Sequence, residues 1–210
     1  MRRLPVLTRT LIASATLLTA VVVASVPAVG PVGAASGYRA LNAPQRLLDT
    51  RVGQTTADGQ FAGRGARAAG STLELQVGGR VGLPGDAAAV VLNVTVTSPS
   101  AAGFVTAYPC DQKRPTASNL NYTAGQTVPN AVISALSDDG TVCLYTLART
   151  ELIVDASGWF PSGAFTPLAS PQRLLDTRPG QPTADKRFSG AGTRPGRTVF
   201  ELPVAGRAGV

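Results

Sequence analysis

No histidine occurs anywhere in the 210-residue chain. Without an imidazole, a Ser-His-Asp triad has no base, and two cysteines alone do not make a zinc set. There is no Gly-x-Ser-x-Gly elbow to hold a nucleophile. Charge is also scarce, at 15% of residues, against roughly 25% in ordinary soluble chains. Nothing in the spacing of Glu74, Asp86, Glu151 and Asp155 sets two carboxylates across a glycosidic bond. Asp138 and Asp139 sit in a turn sequence, and the scattered aspartates do not compose a calcium loop. The glycine-rich "GGRVGLPG" lacks the Lys-Ser/Thr ending of a phosphate loop. Aromatics make up 5% of the chain, with a single tryptophan, so no platform of stacked rings declares itself. Lysines and arginines are scattered rather than clustered, which argues against nucleic acid as a partner. No catalytic residue, cofactor or metal is expected.

The N-terminus has the grammar of an export signal. Arg2, Arg3 and Arg9 precede or open the apolar run "LIASATLLTAVVVASV", and "PAVGPVGAAS" then offers small residues for cleavage after Ala34 or Ala35. The run is short for a bilayer span of about 20 residues, and Pro27 and Gly30 follow it. Residues 1–35 are therefore expected to be a signal peptide, the mature chain to be extracellular, and no membrane attachment to remain after cleavage. Without those three arginines, 16 basic residues face 12 acidic ones. In an oxidising compartment the even pair Cys110 and Cys143 suggests a disulfide. It would close a loop of about 34 residues and contribute roughly 3 to 4 kcal/mol in the chain-entropy view.

The chain repeats itself. "APQRLLDTRVG" from Ala43 returns as "SPQRLLDTRPG" from Ser170, an offset of 127 residues. The register holds without a gap from Tyr38 onward: "GQTTADGQFAGRG" meets "GQPTADKRFSGAG", and "LELQVGGRVGL" meets "FELPVAGRAGV". A period of this size is a domain, not a solenoid module. The expected organisation is a first repeat over residues 36–162 and the N-terminal part of a second over 163–210. The second lacks the counterpart of the first repeat's most apolar stretch. It is expected either to complete itself in sequence beyond Val210, or to be left disordered, meet a neighbouring repeat or borrow strands by exchange with another chain.

Period-two alternation dominates the first repeat. "TLELQV" places Leu73, Leu75 and Val77 on one face, and "AVVLNVTVTS" does the same for Val90, Leu92, Val94 and Val96. "GFVTAYP", "SNLNY", "NAVISALS", "TVCLYTL" and "ELIVDASGWF" follow. "SDDG" reads as a hairpin turn with Gly140 at positive φ. The stretch after Val52, rich in Gly and Ala, reads as a long loop anchored by Phe61. No sustained helical stripe follows the signal. Seven or eight short strands imply an all-β fold, an antiparallel β-sandwich or closed barrel.

In "PQRLLDTR", adjacent Leu47 and Leu48 cannot both face inward on a regular strand, so the stretch bends or is buried on both sides. Asp49 and Thr50 suit backbone capping. Arg46 and Arg51 flank Asp49 and are placed to pair with it or with Asp155. The result is a structural ion-pair network or, in a sharper reading, a carboxylate or sugar site. Glycan contacts, if present, would come from Trp159, Tyr108, Tyr122 and Tyr145, with the amides of Asn119, Asn121 and Asn130. Trp159 also suits a plug at one end of the core.

Taken in order, "RLLDTR", "VVLNVTVTSPSAAGFVTAYPC", "SNLNYTAGQTVPNAVI" and "VCLYT…LIVDASGWFP" resemble a tandem β-domain repeat of secreted proteins from high-GC Gram-positive bacteria, the actinobacteria. The resemblance covers Leu41 to Pro161 and the start of the second repeat. It implies an extracellular module, often in tandem and often appended to hydrolases, and it carries over no catalytic residue. The expected function is a secreted, non-catalytic repeat that binds cell-wall polysaccharide or another glycan, or serves as a spacer at the surface. The alternatives are an accessory region of a larger hydrolase and a spacer without ligand.

Overall fold

The computed structural model describes residues 37–168 and 170–210. The expected signal peptide, residues 1–35, lies outside them.

Eight strands form and no helix occurs among the described residues. They are β1 (Arg39–Asp49), β2 (Ser71–Gln76), β3 (Ala89–Thr97), β4 (Gly103–Pro109), β5 (Leu120–Tyr122), β6 (Val128–Ala135), β7 (Thr141–Thr146) and β8 (Glu151–Phe160). Two antiparallel four-stranded sheets result, ordered β1-β8-β3-β6 and β2-β7-β4-β5. They pack as a β-sandwich, as the alternation implies. Val90, Leu92, Val94 and Val96 of β3 all enter the core, together with Leu73, Leu75, Val77, Val142, Leu144, Leu152 and Val154. Burial of each such side chain stabilises by roughly 1.5–3 kcal/mol before the cost of ordering it.

Two local features answer questions raised by the sequence. The β1–β8 ladder shifts register between Arg46 and Leu48, and this irregularity lets both Leu47 and Leu48 be fully buried. Gly158 of β8 lies where β1 crosses closest. A Cβ there would collide with the Arg39 carbonyl and the Tyr38 ring. The "SDDG" turn forms as expected: Gly140 has φ 73° and donates to the Ser137 carbonyl at 2.8 Å.

Residues between β1 and β2 form the long loop, with Phe61 packed against the core. β1 and β2 each occupy an edge, one in each sheet. The first 45 or so residues of the described chain thus act as a clip over one side of the sandwich. Cys110, just past β4, is bonded to Cys143 of β7, with Cα atoms 4.9 Å apart. This bridge ties neighbouring strands and anchors the 110–119 loop.

Candidate functional site

The repeated peptide builds a corner around one carboxylate. Asp49 has no exposed surface. Its Oδ2 accepts from Arg46 Nη1 at 3.0 Å and Arg51 Nη2 at 2.7 Å, and its Oδ1 from Arg51 Nε at 2.9 Å. The Arg51 backbone N–H adds a bond at 3.2 Å, closing an Asx-type turn. Arg46 also donates its Nε to Asp155 Oδ1 at 2.9 Å, which pins β1 to β8. Burial pushes the Asp49 carboxyl up. The bonds from Arg51 and the positive charges of Arg51 and Arg46 outweigh that, and hold it below the usual carboxylate range. Thr50 accepts from the Leu152 N–H at 2.9 Å and bonds to Glu151. Arg46, Asp49, Arg51 and Asp155 are therefore joined in one network.

A second clamp escapes sequence inspection. Arg80, in the stretch "GGRVGL", is buried. It donates Nε and Nη2 to Asp58 at 2.8 and 2.7 Å, Nη1 to the Gln76 carbonyl at 2.7 Å, and Nη2 to the Leu47 carbonyl at 3.1 Å. Its guanidinium lies 5.0 Å from the Phe61 ring centroid. The bonds from Arg80 draw the Asp58 carboxyl down to about 2. One guanidinium thereby joins the loop, the end of β2 and β1.

The second occurrence reproduces both devices. Arg178 bonds Asp176 at 3.0 and 2.7 Å, and Arg173 pairs with it at 3.1 Å. Arg207 donates to Asp185 at 2.7 and 2.9 Å, to the Pro203 carbonyl at 2.7 Å and to the Leu174 carbonyl at 3.0 Å. It lies 4.8 Å from the Phe188 centroid. Each of these residues stands 127 positions after its counterpart.

The expected glycan residues are dispersed. Tyr122 is a core residue, 4% exposed, and is not placed to meet a surface ligand. Alternation in β5 turns Leu120 and Tyr122 inward and Asn121 outward. The Tyr122 hydroxyl pairs with Thr146 Oγ1 at 2.8 Å and accepts from the Ala148 N–H at 3.1 Å. Trp159 is half-buried and packs against the core near the end of β8. Asn119 spends its side-chain oxygen on the Ala107 N–H at 2.8 Å, and its carbonyl accepts from Asn130. Asn121 is exposed, its oxygen accepting from Ser118 Oγ at 3.1 Å.

Tyr108 belongs to something larger. On the outer face of the β2-β7-β4-β5 sheet, Phe104 and Tyr145 lie with ring centroids 5.8 Å apart. The Arg114 guanidinium sits 3.7 Å from the Tyr145 centroid. Beside them opens a groove of about 860 Å³, lined by Tyr108, Lys113, Arg114 and Ile133 and also by Phe165 and Leu168 of the segment that follows β8. Its rim is the 110–119 loop, held at one end by the disulfide. Ile133 is an exposed apolar side chain at that wall. Lys113 and Arg114 enter no salt bridge among the described residues. Phe104, Lys113 and Arg114 were not singled out from the sequence. The one usable signal was the alternation of "GFVTAYP", which sends Phe104, Thr106 and Tyr108 to the same side.

No protein-family model matches the chain, and no curated protein matches it either.

Proposed function

We propose that this chain is a secreted, non-catalytic β-sandwich repeat that binds a glycan of the cell surface through the groove beside Tyr108 and Arg114. The observation that carries the proposal is the groove itself. A loop bearing Gln112, Lys113 and Arg114 is tied by the Cys110–Cys143 bridge to a rigid sheet, and binding residues characteristically sit on loops held by such scaffolds. Aromatic rings offer apolar faces to sugar carbons, and a few convergent polar groups fix orientation. The two cationic side chains favour a polysaccharide that carries carboxylate or phosphate. The disulfide supports export, because such bridges persist in oxidising compartments.

The test is co-sedimentation of the mature chain with peptidoglycan, followed by titration with a panel of neutral and acidic polysaccharides. Binding should be to an acidic polymer, and Arg114→Ala or Tyr108→Ala should weaken it at least about tenfold without lowering the melting temperature by more than a few degrees. If nothing in the panel binds, or if both variants bind as the parent does, the groove is not the site. The spacer alternative has its own support. Pro161–Ala164 is a closed turn, with the Ala164 N–H donating to the Pro161 carbonyl at 3.1 Å, so successive repeats would be strung with little slack.

A further inference from the structure

The segment that repeats at the C-terminal side carries an apolar face for which the first repeat shows the natural cover. Leu48, Leu73 and Val77 are buried in the core. Their counterparts Leu175, Phe200 and Val204 are exposed at 36%, 39% and 42%. The corner is nonetheless prefolded in both places. Gly63 and Gly65 donate to the Asp49 and Thr50 carbonyls at 2.9 and 2.7 Å, and Gly190 and Gly192 donate to those of Asp176 and Thr177 at 2.8 and 2.7 Å.

We infer that residues 165–210 are a second occupant for the place that residues 38–83 hold on this chain's own sandwich, so that the two segments compete for the edges of β7 and β8. Three features support the exchange. First, segment 38–83 contributes only the edge strands β1 and β2, so its departure leaves β8-β3-β6 and β7-β4-β5 intact. Second, the connecting turn is short, so the segment, whose Phe165 and Leu168 here line the groove beside Ile133 of β6, has little distance to travel. The tilted rings of Tyr38 and Phe160 pack with centroids 5.7 Å apart, and Arg39 pairs with Trp159 across the ladder. Phe165, the counterpart of Tyr38, follows Phe160 after the four-residue turn Pro161–Ala164, and its ring already lies 5.5 Å from that of Phe160. A short turn of this kind joins antiparallel neighbours. In the exchanged arrangement Thr166, 127 positions after Arg39, takes the place of Arg39 opposite Trp159. Third, the substitutions respect the seat. Leu174, Leu175, Leu202 and Val204 match Leu47, Leu48, Leu75 and Val77, while Pro167 and Pro203 replace Ala40 and Gln76 on edge strands, where proline is tolerated.

The intact chain tests this with Leu48→Asp, Leu175→Asp and the double variant, compared by thermal melting, size-exclusion chromatography and limited trypsin digestion. The parent and Leu175→Asp should melt alike, with first cuts after arginines in 173–207. Leu48→Asp should stay a folded monomer with a cooperative melt, and its first cuts should move to 46–80. The double variant should lose its cooperative melt. Three results would each overturn the inference. In the first, Leu48→Asp unfolds as completely as the double variant. In the second, the double variant stays as folded as Leu48→Asp. In the third, Leu48→Asp survives only as a dimer, which would place the exchange between chains.

Discussion

Asp49 and Asp176 accept the same bonds from matching arginines, and Arg80 and Arg207 clamp matching carbonyls and carboxylates. What surrounds them differs. The Asp49 corner lies against β8, to which Arg46 is tied through Asp155, whereas Arg173 pairs only with Asp176 among the described residues. The apolar positions diverge most: Leu48 is sealed and Leu175 is not. The comparison separates two kinds of information in one peptide. Local hydrogen bonds and short-range ion pairs shape the corner wherever it occurs. Cooperative stability comes from the sheets that cover it, since exposed ion pairs alone contribute little.

Breaking the cover should have the largest effect. Leu144 is the cross-strand partner of Leu73 and is fully buried. Leu144→Ala should cost about 3 kcal/mol, within the usual range for such truncations, measured by urea unfolding. Next comes the bridge, which braces only the sheet beneath the first segment. Reducing Cys110–Cys143, or replacing both cysteines with alanine, should cost about 3 kcal/mol, while amide exchange in 173–210 stays unchanged.

Acid should act on both corners but register in the melt only through the first. Asp58 titrates at about 2 against an ordinary 3.8 because Arg80 donates to it. A depressed carboxylate stabilises the fold above its ordinary value and loses that contribution as pH falls through the folded one. Melting temperature should therefore hold steady above about pH 5 and drop between about pH 4 and pH 2. A profile flat to pH 2 would mean the clamp contributes nothing. The smallest effect belongs to the uncovered face: Phe200→Ala, at the position of Leu73, should change global stability by less than about 0.5 kcal/mol. A cost like that of Leu144→Ala would show that Phe200 is covered.

Much of this fold is written in alternation. The bounds of β4 and β8 coincide with "GFVTAYP" and "ELIVDASGWF", and the four inward residues of β3 are those that its period selects. The adjacent leucines of the repeated peptide implied an irregular strand, and the register shift supplies it. Arg80 was illegible because its partners, Asp58 and the Leu47 carbonyl, lie 22 and 33 residues away in a loop and another strand. Tyr122 misled for a related reason. A tyrosine in a short strand belongs to either face until the sheet pairing is known, and here its hydroxyl pairs with Thr146 Oγ1 and accepts from the Ala148 N–H inside the core. The Phe104–Tyr145–Arg114 cluster joins three separate segments, and only the β4–β7 pairing brings them together.

The most direct measurement of the contrast is native-state amide exchange at Gly65 and Gly192. Their N–H groups make equivalent 2.7 Å bonds to Thr50 and Thr177. If the covering sheets supply the stability, Gly65 should exchange at least about 100-fold more slowly than Gly192, because only its opening must disrupt packed structure. Equal protection at the two glycines would show that the corner is stable by itself, and would contradict the account.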